Sequence, residues 1–195
     1  MTSKFESFLD KTFNKKDIIF LSFVVSFFSL LRLPSIVEPY WYGDEGVYEV
    51  IGRALASGRN LYSQIWDNKP PLLYVIYAIF SGDQFYVRLA SAIVGIFSLV
   101  VFFMIARKFF RNQIAVYVST VFFGLLLGAP ILEGNIANAE NFMVLPTLVS
   151  FYILFCTEGK NKLSQVAVGG IILSLSFLTK IVAVFDFAAF SITLL

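Results

Sequence analysis

Two adjacent carboxylates, Asp44 and Glu45, open the longest polar stretch of an otherwise apolar chain, in Tyr-Trp-Tyr-Gly-Asp-Glu-Gly-Val-Tyr (residues 40–48). A carboxylate partly desolvated at a lipid boundary becomes a better general base, and it can also ligate a metal. The plainer reading is a pair of acidic residues in the first turn of a helix, where they are common. Lys69 follows in Trp-Asp-Asn-Lys-Pro-Pro (66–71). A lysine ammonium is a compact point charge that suits phosphate, and the prolines stiffen the backbone that carries it. A lysine snorkelling to headgroups is the alternative. Arg88 stands among Phe85, Tyr86, Leu89 and Ala90, and an intramembrane charge faces a partner or a cavity. Asp83, a loop carboxylate or a bound anion are all open as its partner. Glu140, in Ala-Asn-Ala-Glu-Asn (137–141), is either a first-turn acid behind an Asn138 cap or a second carboxylate facing the same pocket as Asp44. Lys180 and Asp186 punctuate a later apolar run, as anchors or as binding groups. The chain has no histidine, so proton transfer falls to carboxylates, Lys or Tyr.

What must position these groups is a membrane domain. The sequence is 58% hydrophobic and only 14% charged, against about 45–50% and about 25% in soluble domains. A net charge of +2 is too small to indicate a nucleic-acid partner. The one cysteine, Cys156, excludes a disulfide or a cysteine metal site within the chain. Residues 1–17 are polar and amphipathic, and no small-residue cleavage site follows the first apolar run, so a cleaved signal peptide is not expected.

Six apolar segments are long enough, or nearly so, to cross a bilayer, at 18–34, 85–106, 113–132, 142–157, 163–179 and 181–195; a span takes about 20 residues. Residues 71–80 are apolar but too short, and they read as an interfacial or re-entrant helix. If 71–80 does not cross, Lys4, Lys11, Lys15 and Lys16, then Arg107, Lys108 and Arg111, then Lys160 and Lys162 all fall on one side, as the positive-inside rule requires. The N-terminus is then cytoplasmic. A long loop at 35–84 and a short one at 133–141, with Glu133, Asn135, Asn138, Glu140 and Asn141, face out.

The long loop has its own order. Val47, Val50, Ile51, Ala54 and Leu55 recur at helical spacing, with Asp44, Glu45, Glu49 and Arg53 off that stripe. Glu49 and Arg53 form a favourable i,i+4 pair, and Gly58 supplies a stop. The spacing predicts an amphipathic interfacial helix over 44–57, with Asp44 and Glu45 in its first turn, where the helix dipole favours negative charge. Tyr40, Trp41, Tyr42, Tyr62 and Trp66 suit an aromatic belt.

Taken in order, Asp-Glu-Gly-Val-Tyr (44–48), Gly-Arg-Asn-Leu-Tyr (58–62), Asp-Asn-Lys-Pro-Pro-Leu-Leu-Tyr (67–74), Val-Arg-Leu-Ala-Ser-Ala (87–92), Asn-Ala-Glu (138–140) and Leu-Thr-Lys (178–180) resemble the C-type membrane glycosyltransferases. The nearest group looks like the prokaryotic relatives of protein O-mannosyltransferases and of the lipid A aminoarabinose transferase. The resemblance implies an all-α, polytopic bundle with interfacial helices in its first outer loop, of which residues 1–195 would be an N-terminal portion. It implies an inverting transfer of a sugar from a polyprenyl-phosphate donor to a lipid, glycan or protein acceptor at the outer face. By that resemblance Asp44 is the base, Glu45 supports it and Glu140 is the second acidic residue, while Lys69, Arg88 and Lys180 hold the donor phosphate. Some relatives use a divalent metal and others do not; Asp44 and Glu140 are the residues that would hold one. Many relatives carry Asp where this chain has Glu140. A transporter or flippase of a lipid-linked anion is the alternative, but it predicts mid-span charges and broken helices, whereas the ionisable residues here gather at one boundary. An inactive fragment is the third reading.

Overall fold

The computed structural model describes residues 13–39, 42–157 and 162–194. Lys4, Lys11, Tyr40, Trp41, Lys160 and Leu195 lie outside the described residues. Helix accounts for 80% of the structure, and the described residues form no strand. The fold is all-α and polytopic, with four helices long and apolar enough to cross a membrane.

Helix α1 (Lys15–Val37) starts on a capping box in which Asn14 and Asp17 satisfy each other's backbone N–H groups. It runs past Pro34 because its last carbonyls find side-chain donors: Arg88 bonds the carbonyls of Ser35 and Glu38, and the Gln84 amide bonds that of Glu38. Cationic and amide donors at a helix C-terminus satisfy its orphan acceptors and complement its dipole. Helices α2 (Gly43–Ala56) and α3 (Pro71–Ile79) pack on each other and are too short to span. They approach closely at Gly52, where a Cβ would stand 2.6 Å from Cβ of Tyr77. Helix α2 ends at Gly58, whose φ of +89° and whose bonds from Gly58 N to Leu55 O and Arg59 N to Ala54 O form a Schellman stop.

Helix α4 (Gln84–Phe109) is capped by Asp83, which accepts from Tyr86 N. Helix α5 (Gln113–Gly128) is shorter than the 113–132 segment predicted from hydropathy. Ala129 is extended (ψ 130°) because a residue preceding proline is pushed out of the helical region, and Pro130–Leu132 continue as a 3-10 turn. Helix α6 (Ala139–Phe151) passes into a π-helical turn, Tyr152–Cys156. The Gln165 amide bonds carbonyls there, including that of Thr157 at 3.0 Å. Helix α7 (Lys162–Thr179) leads through a 3-10 turn, Ile181–Ala183, to α8 (Val184–Leu194).

The bundle has two chemically distinct ends. At one, the buried Asp17 carboxylate accepts from Gln113 Nε2 at 3.1 Å and Tyr117 Oη at 3.2 Å, with Arg107 Nη1 at 3.0 Å. That cluster joins α1, α4 and α5 and gathers Lys15, Lys16, Arg107, Lys108 and Arg111 nearby. Phe109 and Phe151 meet at 5.6 Å, so α6 also ends there, and Phe190 on Phe151 (5.6 Å) shows α8 returning to it. Between the ends, Phe28 is 1% exposed and fills the space beside Gly95, where a Cβ would meet its ring at 2.5 Å. The opposite end collects α2, α3, the 133–138 loop and Lys180.

Candidate active site

Asp44 and Tyr48 are one turn apart on α2, so their side chains share a face. The Tyr48 hydroxyl donates to Asp44 Oδ2 at 2.9 Å, and Lys69 Nζ reaches the same oxygen at 2.5 Å. Lys69 also donates to the Tyr48 hydroxyl and lies 4.4 Å from the centre of its ring. Pro70 and Pro71 start α3 immediately after Lys69. The hydrogen bond from Lys69, aided by that from Tyr48, holds the Asp44 carboxyl below the usual carboxylate range. Burial, and then the bond to Asp44, push the Tyr48 phenol far up, so it stays a neutral donor. Lys180 contributes to lowering Asp44 as well, which brings the start of the last segment to this site.

Glu140, in the first turn of α6, pairs with Lys180. Its charge acts on both the Tyr48 and Tyr42 hydroxyls. Tyr42 is raised first by partial burial, then by Glu133 and Asp44. Asp44, Glu133 and Glu140 thus all lie within electrostatic reach of Tyr42, and Lys69 and Lys180 within that of Asp44. Asn138 caps α6 through Ala139 N at 2.8 Å and donates to Glu133 Oε2 at 3.0 Å. Among the described residues no three His, Cys, Asp or Glu side chains converge as metal ligands. The carboxylates of Asp44 and Glu140 are each paired with a lysine.

Glu45 and Arg88 are placed differently. Both side chains are 0% exposed. Arg88 Nε meets Glu45 Oε1 at 3.0 Å and Nη2 meets Oε2 at 2.6 Å, a two-pronged pair. Oε1 also accepts from Ala137 N at 2.7 Å. Of the partners open to Arg88, the loop carboxylate is the one observed, while Asp83 is spent on its helix cap. The guanidinium is fully buried. The stripe read for α2 needs a matching change: Glu45, Tyr48, Ile51 and Gly52 are its buried residues, whereas Val47 and Val50 are 44% and 67% exposed. Glu45 is inside because Arg88 compensates its charge there.

Sequence reasoning missed Arg32, which is 2% exposed. It donates to Ile136 O at 3.2 Å and Ser91 Oγ at 2.9 Å. Asn141 Nδ2 meets the same Ile136 carbonyl at 2.8 Å, and Tyr77 Oη meets Ala137 O at 2.9 Å. These bonds and that of Glu45 pin the 133–138 loop against α1, α2, α3 and α4. An arginine inside the apolar run Leu-Leu-Arg-Leu-Pro (30–34) was the available signal. A groove of about 450 Å³ leads away from Lys69, walled by Trp66, Pro70, Pro71, Phe177 and Ile181.

The structure is a polytopic helical bundle that gathers carboxylates and lysines at one end. Residues 69–195 match the family model described as dolichyl-phosphate-mannose-protein mannosyltransferase. The chain belongs to that family, of the C-type membrane glycosyltransferases. The match begins at Lys69, so Asp44 and Glu45 precede it. No curated protein and no solved structure matches the chain.

Proposed function

We propose that this chain carries the catalytic base and donor-phosphate contacts of an inverting glycosyltransferase that moves a sugar from a polyprenyl phosphate to a hydroxyl of a lipid, glycan or protein. The observation that carries the reading is a half-exposed carboxylate, Asp44, with two lysines whose donors are not used up. An ammonium has three N–H groups. Lys69 spends two within the described residues, on Asp44 and Tyr48. Lys180 spends one, on Glu140. The remainder suit phosphate oxygens.

The acceptor hydroxyl gives its proton to Asp44 as its oxygen attacks the anomeric carbon. The bond from that carbon to the phosphate oxygen breaks, and its electron pair leaves on the phosphate. Lys69 and Lys180 stabilise that charge. A donor phosphate draws Lys69 off Asp44 and so relieves the main interaction that lowers the basicity of Asp44. Glu140 orients Lys180. Glu45 and Arg88 hold the start of α2 in place rather than touch substrate. The apolar walls of the groove beside Lys69 suit the isoprenoid chain.

Lys69→Met raises the donor KM about 10- to 100-fold, the worth of one hydrogen bond to a charged group. Steady-state kinetics in proteoliposomes measure it, and an unchanged donor KM removes Lys69 from the phosphate site.

The basic end of the bundle is cytoplasmic and the Asp44 end faces out, as the distribution of Lys and Arg favours. Asn68→Cys, at an exposed loop position, is then labelled in intact cells by a membrane-impermeant maleimide, with Cys156 buried. Labelling only after the cells are opened reverses the orientation.

A further inference from the structure

We infer that Tyr48 is a positioning residue for this transfer: it fixes which oxygen of Asp44 faces the acceptor. The inference rests on the proposed role of Asp44. Both bonds to Asp44 from the described residues, those of Tyr48 and Lys69, end on Oδ2. Oδ1 is the oxygen left to receive a proton. Lys69 cannot hold that orientation through turnover, because the donor phosphate competes for it. Tyr48 can, since its hydroxyl is bound to the protein by packing and not by substrate.

That packing is unusually complete. Tyr48 is 0% exposed. Its ring meets Tyr74 edge-on at 6.2 Å and Tyr77 at 5.5 Å. Each of those rings is itself tethered, Tyr74 Oη to Asp67 Oδ2 at 2.5 Å and Tyr77 Oη to the Ala137 carbonyl at 2.9 Å. The three hydroxyls fan out from one aromatic wedge to α2, the 61–70 loop and the 133–138 loop. An edge-to-face cluster of this kind fixes ring planes, so the Tyr48 oxygen has little freedom to follow Asp44. Asp44 follows it instead. When Lys69 swings to the phosphate, the Tyr48 face and hydroxyl also give the ammonium a fixed place from which to move and to which to return.

Tyr48→Phe keeps the ring and removes only the hydroxyl. In proteoliposomes it lowers kcat about 10- to 100-fold, the scale on which misplacing a catalytic group by about 1 Å slows a reaction. The Kd for a polyprenyl phosphate, measured without acceptor, stays within about threefold, since Lys69 keeps its contacts with the ring and with Asp44. A Tyr48→Phe kcat within threefold of the parent overturns the inference. So does a parallel loss of kcat, polyprenyl-phosphate binding and thermal stability, which marks a structural role. Full turnover by Asp44→Asn is a separate result: it overturns the role of Asp44 whatever Tyr48→Phe does.

Discussion

Asp44→Asn abolishes sugar transfer, with a loss of at least about 10²- to 10⁴-fold, the usual contribution of a positioned general base. Asparagine is nearly isosteric and still offers an oxygen to Tyr48 and Lys69, so the local geometry survives. What it lacks is affinity for a proton. The cost to stability is small, because the Asp44 side chain is 45% exposed and its ion pair with Lys69 is screened by water. The two halves of this expectation are read together, transfer from a polyprenyl-phosphate sugar in proteoliposomes and thermal unfolding in detergent. Loss of turnover with unfolding unchanged is the expected pair of results. Turnover at the parental rate removes Asp44 from the chemistry. Polyprenyl-phosphate binding gives a third axis: the substitution removes the negative charge that competes for Lys69, so affinity for the phosphate is kept or strengthened. A residue that only shaped the pocket would lose binding along with turnover.

How far the sequence led depends on the range of each interaction. The all-α, polytopic class was legible from apolar runs alone, because a bilayer imposes length and composition on each segment independently. The stop of α2 at Gly58 and the cap of α6 by Asn138 were legible because both act over a few residues. The end of α5 at Gly128 was not: hydropathy carries on through Pro130, while backbone sterics do not. In the site, Asp44 and Lys69 stood out by residue type and setting. The buried state of Glu45 did not, since periodicity assigns a carboxylate to the solvated face unless a partner is known, and that partner is 43 residues away. Arg32 shows the same limit more sharply: its contacts lie 59 and 104 residues along the chain. In sequence Tyr48 is only the last residue of Asp-Glu-Gly-Val-Tyr (44–48). Only the tertiary fold, which sets Lys69 on its hydroxyl and Tyr74 and Tyr77 against its ring, gives it a role.

Arg88→Leu destabilises the protein by about 3–5 kcal/mol, the cost of leaving one partner of a buried ion pair uncompensated. The structure gives two reasons to expect the upper part of that range. The Glu45 carboxylate is left without its two-pronged partner, and the carbonyls of Ser35 and Glu38 at the end of α1 lose a cationic donor. Arg88→Lys recovers only part of the loss, because an ammonium does not reproduce the planar fork that serves Glu45 and those carbonyls together. The double substitution Glu45→Leu/Arg88→Leu is less damaging than Arg88→Leu alone, since it removes the buried charge, although Ala137 N still loses its acceptor. Reversible denaturant unfolding of the reconstituted protein measures all three. The same series tells holding from binding. If Arg88 were a phosphate contact, Arg88→Lys would keep stability and raise the donor KM, as Lys69→Met does, and the double substitution would give no rescue. A stability loss that the second substitution partly repairs places Arg88 in the scaffold under Asp44. Phosphate recognition then rests on Lys69 and Lys180, whose ammonium groups reach the pocket from separate segments of the chain.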